Sequence, residues 1–388
     1  MLPRFLPLED GKDSFLRTQS KPLPIRTIKI FLLFLTLAFG VLVLSMYATR
    51  YFDVRSAILQ PKVSIVHPCA EEENELKQWI KAPLSLMHNM SDEELFWRAS
   101  LVPLLEKYPY KRVPKVAFMF LTRGPLPLSP LWEKFFQGHE EHYSIYVHSL
   151  PGYRPEFASD SVFYQRQIPS QLLHPQVAEW GKINMIDAER RLLANALLDL
   201  SNERFVLLSE SCIPLKNFTI IYSYLTKSNH SFVNSFDDPS SLGRGRYNPK
   251  MAPEITVSQW RKGAQWFEVD RKLAARLVAD TKYYPKFKDF CKPACYVDEH
   301  YFPTMLAIET PRLISNRTVT WVDWSRGGAH PATFGRGDVN EEFLKRIIEG
   351  QSCLYNGQPS SVCFLFARKF APSALEPLLN FTSNLLGF

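Results

Sequence analysis

Residues 30–48 read IFLLFLTLAFGVLVLSMYA and carry no charged side chain. At 1.5 Å of rise per residue, a helix of roughly 19 residues spans roughly 28 Å, which matches a hydrocarbon core of roughly 30 Å. A lone segment crossing lipid can satisfy its backbone only as a helix, so this run dictates its own secondary structure. A cleaved secretory signal is the rival reading, but such signals have shorter apolar stretches and sit nearer the N-terminus. Here Arg4, Lys12, Arg17, Lys21, Arg26 and Lys29 precede the run, and no small-x-small cleavage site follows it. We therefore read it as an anchor. Arg17, Lys21, Arg26 and Lys29 before the run outnumber Arg50, Arg55 and Lys62 after it, which favours a cytoplasmic N-terminus. The expected organisation is a cytoplasmic tail (residues 1–29), a transmembrane signal anchor (30–48), a stem (49–112) and a lumenal domain (113–388), the layout of a type II membrane protein.

Two features fit a lumenal body. Sequons of the form Asn-x-Ser/Thr start at Asn89, Asn217, Asn229, Asn316 and Asn380. The six cysteines, Cys69, Cys212, Cys291, Cys295, Cys353 and Cys363, all lie beyond the anchor. In an oxidising lumen they can form disulfides, and proximity favours Cys291–Cys295 and Cys353–Cys363. Cys212 sits in an apolar context that suits a buried free thiol equally well. The net charge of +7 suits an anionic partner such as a phosphate-bearing substrate. The basic excess is diffuse and the body lumenal, so nucleic acid is not expected as a partner.

Beyond Val113 the chain alternates short apolar runs with helical patterns. Val116–Leu121, Tyr143–His148, Phe205–Leu208 and Ser231–Ser235 read as strands. Asn184–Leu200 repeats Ile186, Leu192, Leu193, Ala196, Leu197 and Leu200 at helical spacing, and Asp270–Asp280 and Asp298–Ile308 read as further helices. In the stem, a helix is expected near Asp92–Lys107, opened by Ser91 as N-cap with Glu94 three residues on. Strands alternating with helices imply an α/β fold around a mostly parallel sheet, with ligands bound beyond the carboxyl ends of the strands.

The common dinucleotide, Walker, nucleophile-elbow and zincin motifs are absent from the sequence. Cys291–Cys295 lacks a second ligand pair for zinc, and His139-Glu-Glu-His142 has no third ligand in view. No clear D-x-D follows a strand. Asp237-Asp238 is the nearest acidic pair, able to bind a metal or merely to start a turn before Pro239. The most suggestive carboxylate is Glu299. With Asp298 as N-cap, Glu299 would fall in the first turn of a helix, where the dipole favours the ionised form. Such a carboxylate at a pocket edge can deprotonate a sugar hydroxyl; a solvated acidic first turn is the plain alternative.

Ordered blocks narrow the choice. They are Lys115-Val-Ala-Phe-Met-Phe-Leu-Thr-Arg123, Glu179-Trp-Gly-Lys-Ile-Asn184, Phe205-Val-Leu-Leu-Ser-Glu-Ser-Cys-Ile-Pro-Leu215, Trp260-Arg-Lys-Gly-Ala-Gln-Trp-Phe267, Asp298-Glu-His-Tyr-Phe-Pro-Thr304 and Thr320-Trp-Val-Asp-Trp-Ser-Arg-Gly-Gly-Ala-His-Pro331. Together, behind a type II anchor, they resemble the core-2/I-branching β-1,6-N-acetylglucosaminyltransferases of glycosyltransferase family 14, and more specifically the plant branch of that family. The resemblance implies a GT-A-like Rossmann-type mixed sheet flanked by helices, a Golgi location, and inverting transfer from a UDP-sugar to a glycan hydroxyl. N-acetylglucosamine is the default sugar.

The resemblance also implies roles. Glu299 matches the family's general base. The animal branch works without a metal and neutralises the diphosphate with basic side chains, so no cofactor beyond the UDP-sugar co-substrate is expected. Phe366-Ala-Arg-Lys-Phe370 is similar to that basic segment, which makes Lys369 and Arg368 the donor-phosphate candidates. Arg326, Arg336 and Arg123 are further donor-side candidates. His148 stands where relatives carry an Asp near the uridine. Arg244, Arg246 and Tyr247 resemble an acceptor-facing segment, and Trp324 or Trp321 an aromatic that packs on the acceptor sugar. The alternatives are a metal-dependent transferase using Asp237 and Asp238, and a non-catalytic glycan-binding relative.

Overall fold

The computed structural model describes residues 24–58, 85–101, 108–169 and 178–388. Two units divide the chain, Met1–Glu72 and Glu73–Phe388. The first contains one described helix, α1 (Ile25–Ile58), with the apolar span Lys29–Ala48 at mean hydropathy 2.5 and none of it buried. It is long and apolar enough to cross a membrane. Most of the tail, and stem residues 59–84, lie outside the described residues.

The second unit opens with α2 (Asp92–Ala99). Ser91 caps it in a reciprocal box with Glu94, as its sequence predicts. The helix ends at Ala99, earlier than expected, and residues 102–107 lie outside the described residues. Then come β1 (Lys115–Leu121), α3 (Ser129–Phe136), β2 (Tyr143–His148), α4 (Ile183–Leu197), β3 (Asn202–Ser209), β4 (Ile213–Pro214) and α5 (Phe218–Thr226). They are followed by β5 (Glu268–Asp270), α6 (Arg271–Ala279), α7 (Tyr284–Phe290), α8 (Val297–Glu309) and β6 (Thr320–Val322). The last are α9 (Glu341–Ile348), β7 (Cys353–Tyr355), β8 (Gln358–Ser360), β9 (Phe366–Arg368) and α10 (Leu375–Asn380).

The main sheet has the order β2-β1-β3-β5, with β1 parallel to both neighbours and β5 antiparallel. Its strands read as continuous apolar runs because both faces are covered. Ala117 and Met119 of β1 pack with Leu192, Leu193 and Ala196 of α4 in one core. Val116, Phe118 and Phe120 face the other way, toward Trp132, Phe135 and Phe136 of α3 and Phe218 of α5. That second core is an aromatic cluster, with the Phe118 ring 4.9 Å from Phe136 in edge contact. A smaller sheet, β4-β9-β6, leans on it. The register pairs Leu121 with both His148 and Ser209, so β1, β2 and β3 end side by side.

Several expectations are corrected. Ser231–Ser235 is not a strand: it makes only single bridges, Ser231 to Ile314 and Phe232 to Glu268. Asp298 does not cap α8. Tyr296, in the left-handed conformation at φ 58°, precedes the helix, and Asp298 turns inward as a buried side chain. Part of the segment read as stem belongs to the compact body, since Asp92 pairs with Arg191 of α4 at 2.6 Å and His88 bonds Asn195 at 2.9 Å. The disulfides Cys291–Cys295 and Cys353–Cys363 form as proximity favoured, and Cys212 is a buried free thiol. His139 stacks on Phe218 and His142 meets the edge of Tyr222, so both rings of that motif are used in packing.

Candidate active site

A cleft of about 1150 Å³ opens beyond the ends of β1, β2 and β3. Arg123 and His148, which follow or end those strands, line it, as do Ser209, Glu210 and Ser211. The start of α8 contributes Glu299, and the end of β9 contributes Arg368 and Lys369. Residues from five separated segments thus meet in the position that strand topology favours for ligands.

Glu299 is held from two sides. Its carboxylate accepts a hydrogen bond from Arg246 Nη1 at 3.1 Å, and both side chains are largely shielded from solvent. The Arg246 guanidinium lies 3.9 Å over the Tyr296 ring, which fixes its plane. The backbone is pinned as well. Pro303 sits four residues beyond Glu299 inside α8 and has no N–H to give its carbonyl. The Gly263 amide takes that place, donating to the Glu299 carbonyl at 2.8 Å. Only glycine fits there, because a Cβ on Gly263 would lie 1.8 Å from the Asn234 carbonyl oxygen.

Asp298, beside Glu299, points away from solvent. Burial, and then the charge of Glu299, push its carboxyl up to about 7. The amides of Asp298 and Gly181 offset part of this without forming well-aligned hydrogen bonds.

A second charge cluster gathers on another stretch of the wall. The Arg368 guanidinium stacks 3.9 Å over the Trp266 ring. Burial lowers the Lys369 ammonium, and the neighbouring charges of Arg368 and Arg123 lower it further, with Glu210 opposing. His330 is lowered by burial and by the same three cations. Among the described residues, no carboxylate lies within ion-pair distance of Arg123, Arg368 or Lys369. His148 is buried, its Nε2 has no partner, and burial, followed by the charge of Arg191, pushes the ring down to about 3. It is therefore neutral at ordinary pH.

Other expected residues lie elsewhere. Arg336 is exposed and paired with Glu376, and Arg326 is exposed, 5.7 Å over Phe334; neither lines the cleft. Trp324 lines the cleft and is 51% exposed, whereas Trp321 packs against Phe334 and Phe343. Arg244 pairs with Asp237, and Tyr247 is used structurally, donating to the Ile255 carbonyl at 2.7 Å. Asp238 faces Lys262 at 3.7 Å, so each member of the acidic pair already has a cation. Their turn carries Arg246 to Glu299. Among the described residues no group of three or more His, Cys, Asp or Glu could hold a metal ion.

Sequence reasoning missed Trp180, Glu210, Gln265, Trp266 and His330, all on the cleft wall. Each falls inside one of the quoted blocks, which was the available signal.

A sequence model of the Core-2/I-Branching enzyme family matches residues 116–348. The chain is also 39% identical over 311 residues to a protein of Oryza sativa subsp. japonica named Glycosyltransferase BC10, covering 69% of this chain and 76% of the rice protein. The matched segment holds the β1, β2 and β3 strand ends and Glu299, and the chain accordingly belongs to the core-2/I-branching family of glycosyltransferases.

Proposed function

We propose that this chain is an inverting transferase that moves a sugar from a UDP-sugar to a hydroxyl of a glycan acceptor. The observation that carries the proposal is the pairing, in one cleft, of a positioned carboxylate with a separate cluster of cations that have no ion-paired carboxylate among the described residues. Glu299 takes the proton from the acceptor hydroxyl as that oxygen bonds to the anomeric carbon. The bond from that carbon to the diphosphate breaks on the opposite face, and the charge left on UDP meets Lys369, Arg368 and Arg123. His148 offers one hydrogen bond to the nucleotide base, and exposed Trp324 an apolar face to the acceptor.

The proposal includes metal independence, because Arg244 and Lys262 already occupy Asp237 and Asp238. N-acetylglucosamine is the proposed sugar and a Golgi membrane the proposed location, with α1 as a type II anchor. Asn89, Asn229, Asn316 and Asn380 are exposed and would carry glycans there, whereas Asn217 already caps α5 through a bond to the Ile220 amide. The test is UDP release by the full-length protein in detergent, over a panel of nucleotide sugars with a glycan acceptor, with and without chelator. Turnover that survives chelation is expected. Turnover abolished by chelator and restored by Mn²⁺ would overturn the metal-free mechanism, and glycan binding without any turnover would point to a non-catalytic relative.

A further inference from the structure

Residues 263–266 run along the cleft wall between its two charge clusters. At one end the Gly263 amide is bonded to the backbone of Glu299, and at the other the Trp266 ring supports Arg368. In the reaction proposed above, the transferred ring must lie between the base and the departing diphosphate. Gln265 lines the cleft within that interval.

Gln265 is not free to choose its orientation. Its Nε2 donates to Oε1 of Glu189 at 2.8 Å. Glu189 belongs to α4 and is fully buried, and its Oε2 has no hydrogen-bond partner among the described residues. A carboxyl inside the core is costly unless it serves packing or a neighbour. Here it tethers the amide nitrogen and leaves the Gln265 carbonyl oxygen with no hydrogen bond among the described residues. Burial holds the Glu189 carboxyl well above the ordinary range, and the nearby Asp298 pushes the same way.

We propose that Gln265, oriented by Glu189, reads the transferred sugar, and this rests on the transferase reading above. Its carbonyl oxygen accepts a hydrogen bond from a hydroxyl or amide N–H of a neutral sugar. A uronic acid carboxylate brought to the same point would set acceptor against acceptor with no proton between them. Gln265 is thus a specificity-determining residue, and Glu189 is a positioning residue that acts through it.

The experiment measures UDP release by the full-length protein with UDP-N-acetylglucosamine, UDP-glucose, UDP-galactose, UDP-xylose and UDP-glucuronate, alongside UDP binding. Gln265→Ala should lower kcat/KM for the best neutral donor about tenfold, the usual weight of one hydrogen bond, and leave the Kd for UDP within about twofold. In Glu189→Gln the new amide can donate to Gln265, turning the Gln265 nitrogen to the cleft. The ratio of glucuronate to neutral-sugar turnover should then rise about tenfold, and adding Glu189→Gln to Gln265→Ala should move the ratio no further than Gln265→Ala does alone. If Glu189→Gln does not fold, as a melting curve would report, Gln265→Asn and Gln265→Ala carry the test through the same ratio. A donor ratio unmoved in the folded variants, or UDP affinity falling in step with turnover, overturns the inference while leaving the transferase reading intact. No turnover of any donor by the wild-type chain overturns both.

Discussion

Glu299 and Lys369 face the same cleft, yet their surroundings follow opposite rules. Glu299 is held by partners, its carboxylate bonded to Arg246, its carbonyl to Gly263 and its helix closed behind it by Tyr296. Lys369 and Arg368 are crowded by like charge and supported by an aromatic ring instead of a carboxylate. Holding cations together with Glu210 acting only from beyond ion-pair distance costs free energy, and an incoming anion relieves that cost. A side chain that must keep one orientation is held by partners, whereas the groups proposed to receive a diphosphate are left without an ion-paired carboxylate.

The contrast can be broken at each end. Glu299→Gln keeps the shape and the bond to Arg246 but removes the proton acceptor. Turnover should fall about 10²–10⁴-fold with UDP affinity little changed, read by steady-state kinetics and calorimetry. Lys369→Met should instead weaken UDP binding as well as cut turnover, about 10²–10³-fold. If Lys369→Met leaves UDP binding intact, the cation cluster is not the diphosphate site.

Arg246→Met removes the base's tether without touching the cations. A loss of about tenfold in kcat, with KM for the UDP-sugar held, would mark Arg246 as a positioning residue. The smallest effect concerns Asp298. Its carboxyl titrates at about 7 when folded against an ordinary value of 3.8. Between those values the folded chain binds more protons than the unfolded one, so this group's contribution to stability falls as pH rises through the window. Asp298→Asn should flatten that loss, gaining melting temperature over wild type as pH goes from 4.5 to 8. A parallel shift at every pH would mean that Asp298 does not titrate there.

Much of the fold was legible because local physics dictated it. The strand pattern at Val116–Leu121 matches β1 since burial on both faces demands an unbroken apolar run, and Ser91 with Glu94 closes its box within three residues. The edges of α8 were not legible. A left-handed Tyr296 replaces the expected Asp298 cap because Gly181 makes room for the Tyr296 ring: a Cβ on Gly181 would come within 2.9 Å of it. Arg326 and Arg336 could not be told from Arg368 by composition, since an exposed arginine and one stacked on Trp266 read alike in a sequence.

By itself the sequence determined the apolar N-terminal helix, the alternation of strands and helices, the nearby disulfides and the family. All of these depend on residues close along the chain or on ordered blocks. Only the tertiary structure decided that Asp237 and Asp238 meet Arg244 and Lys262, that Arg246 holds Glu299 across a sequence separation of 53, and that Glu189 reaches Gln265 from another element. The physical reason is that a charge or a polar group takes its role from its partners, and those partners are chosen by packing in three dimensions.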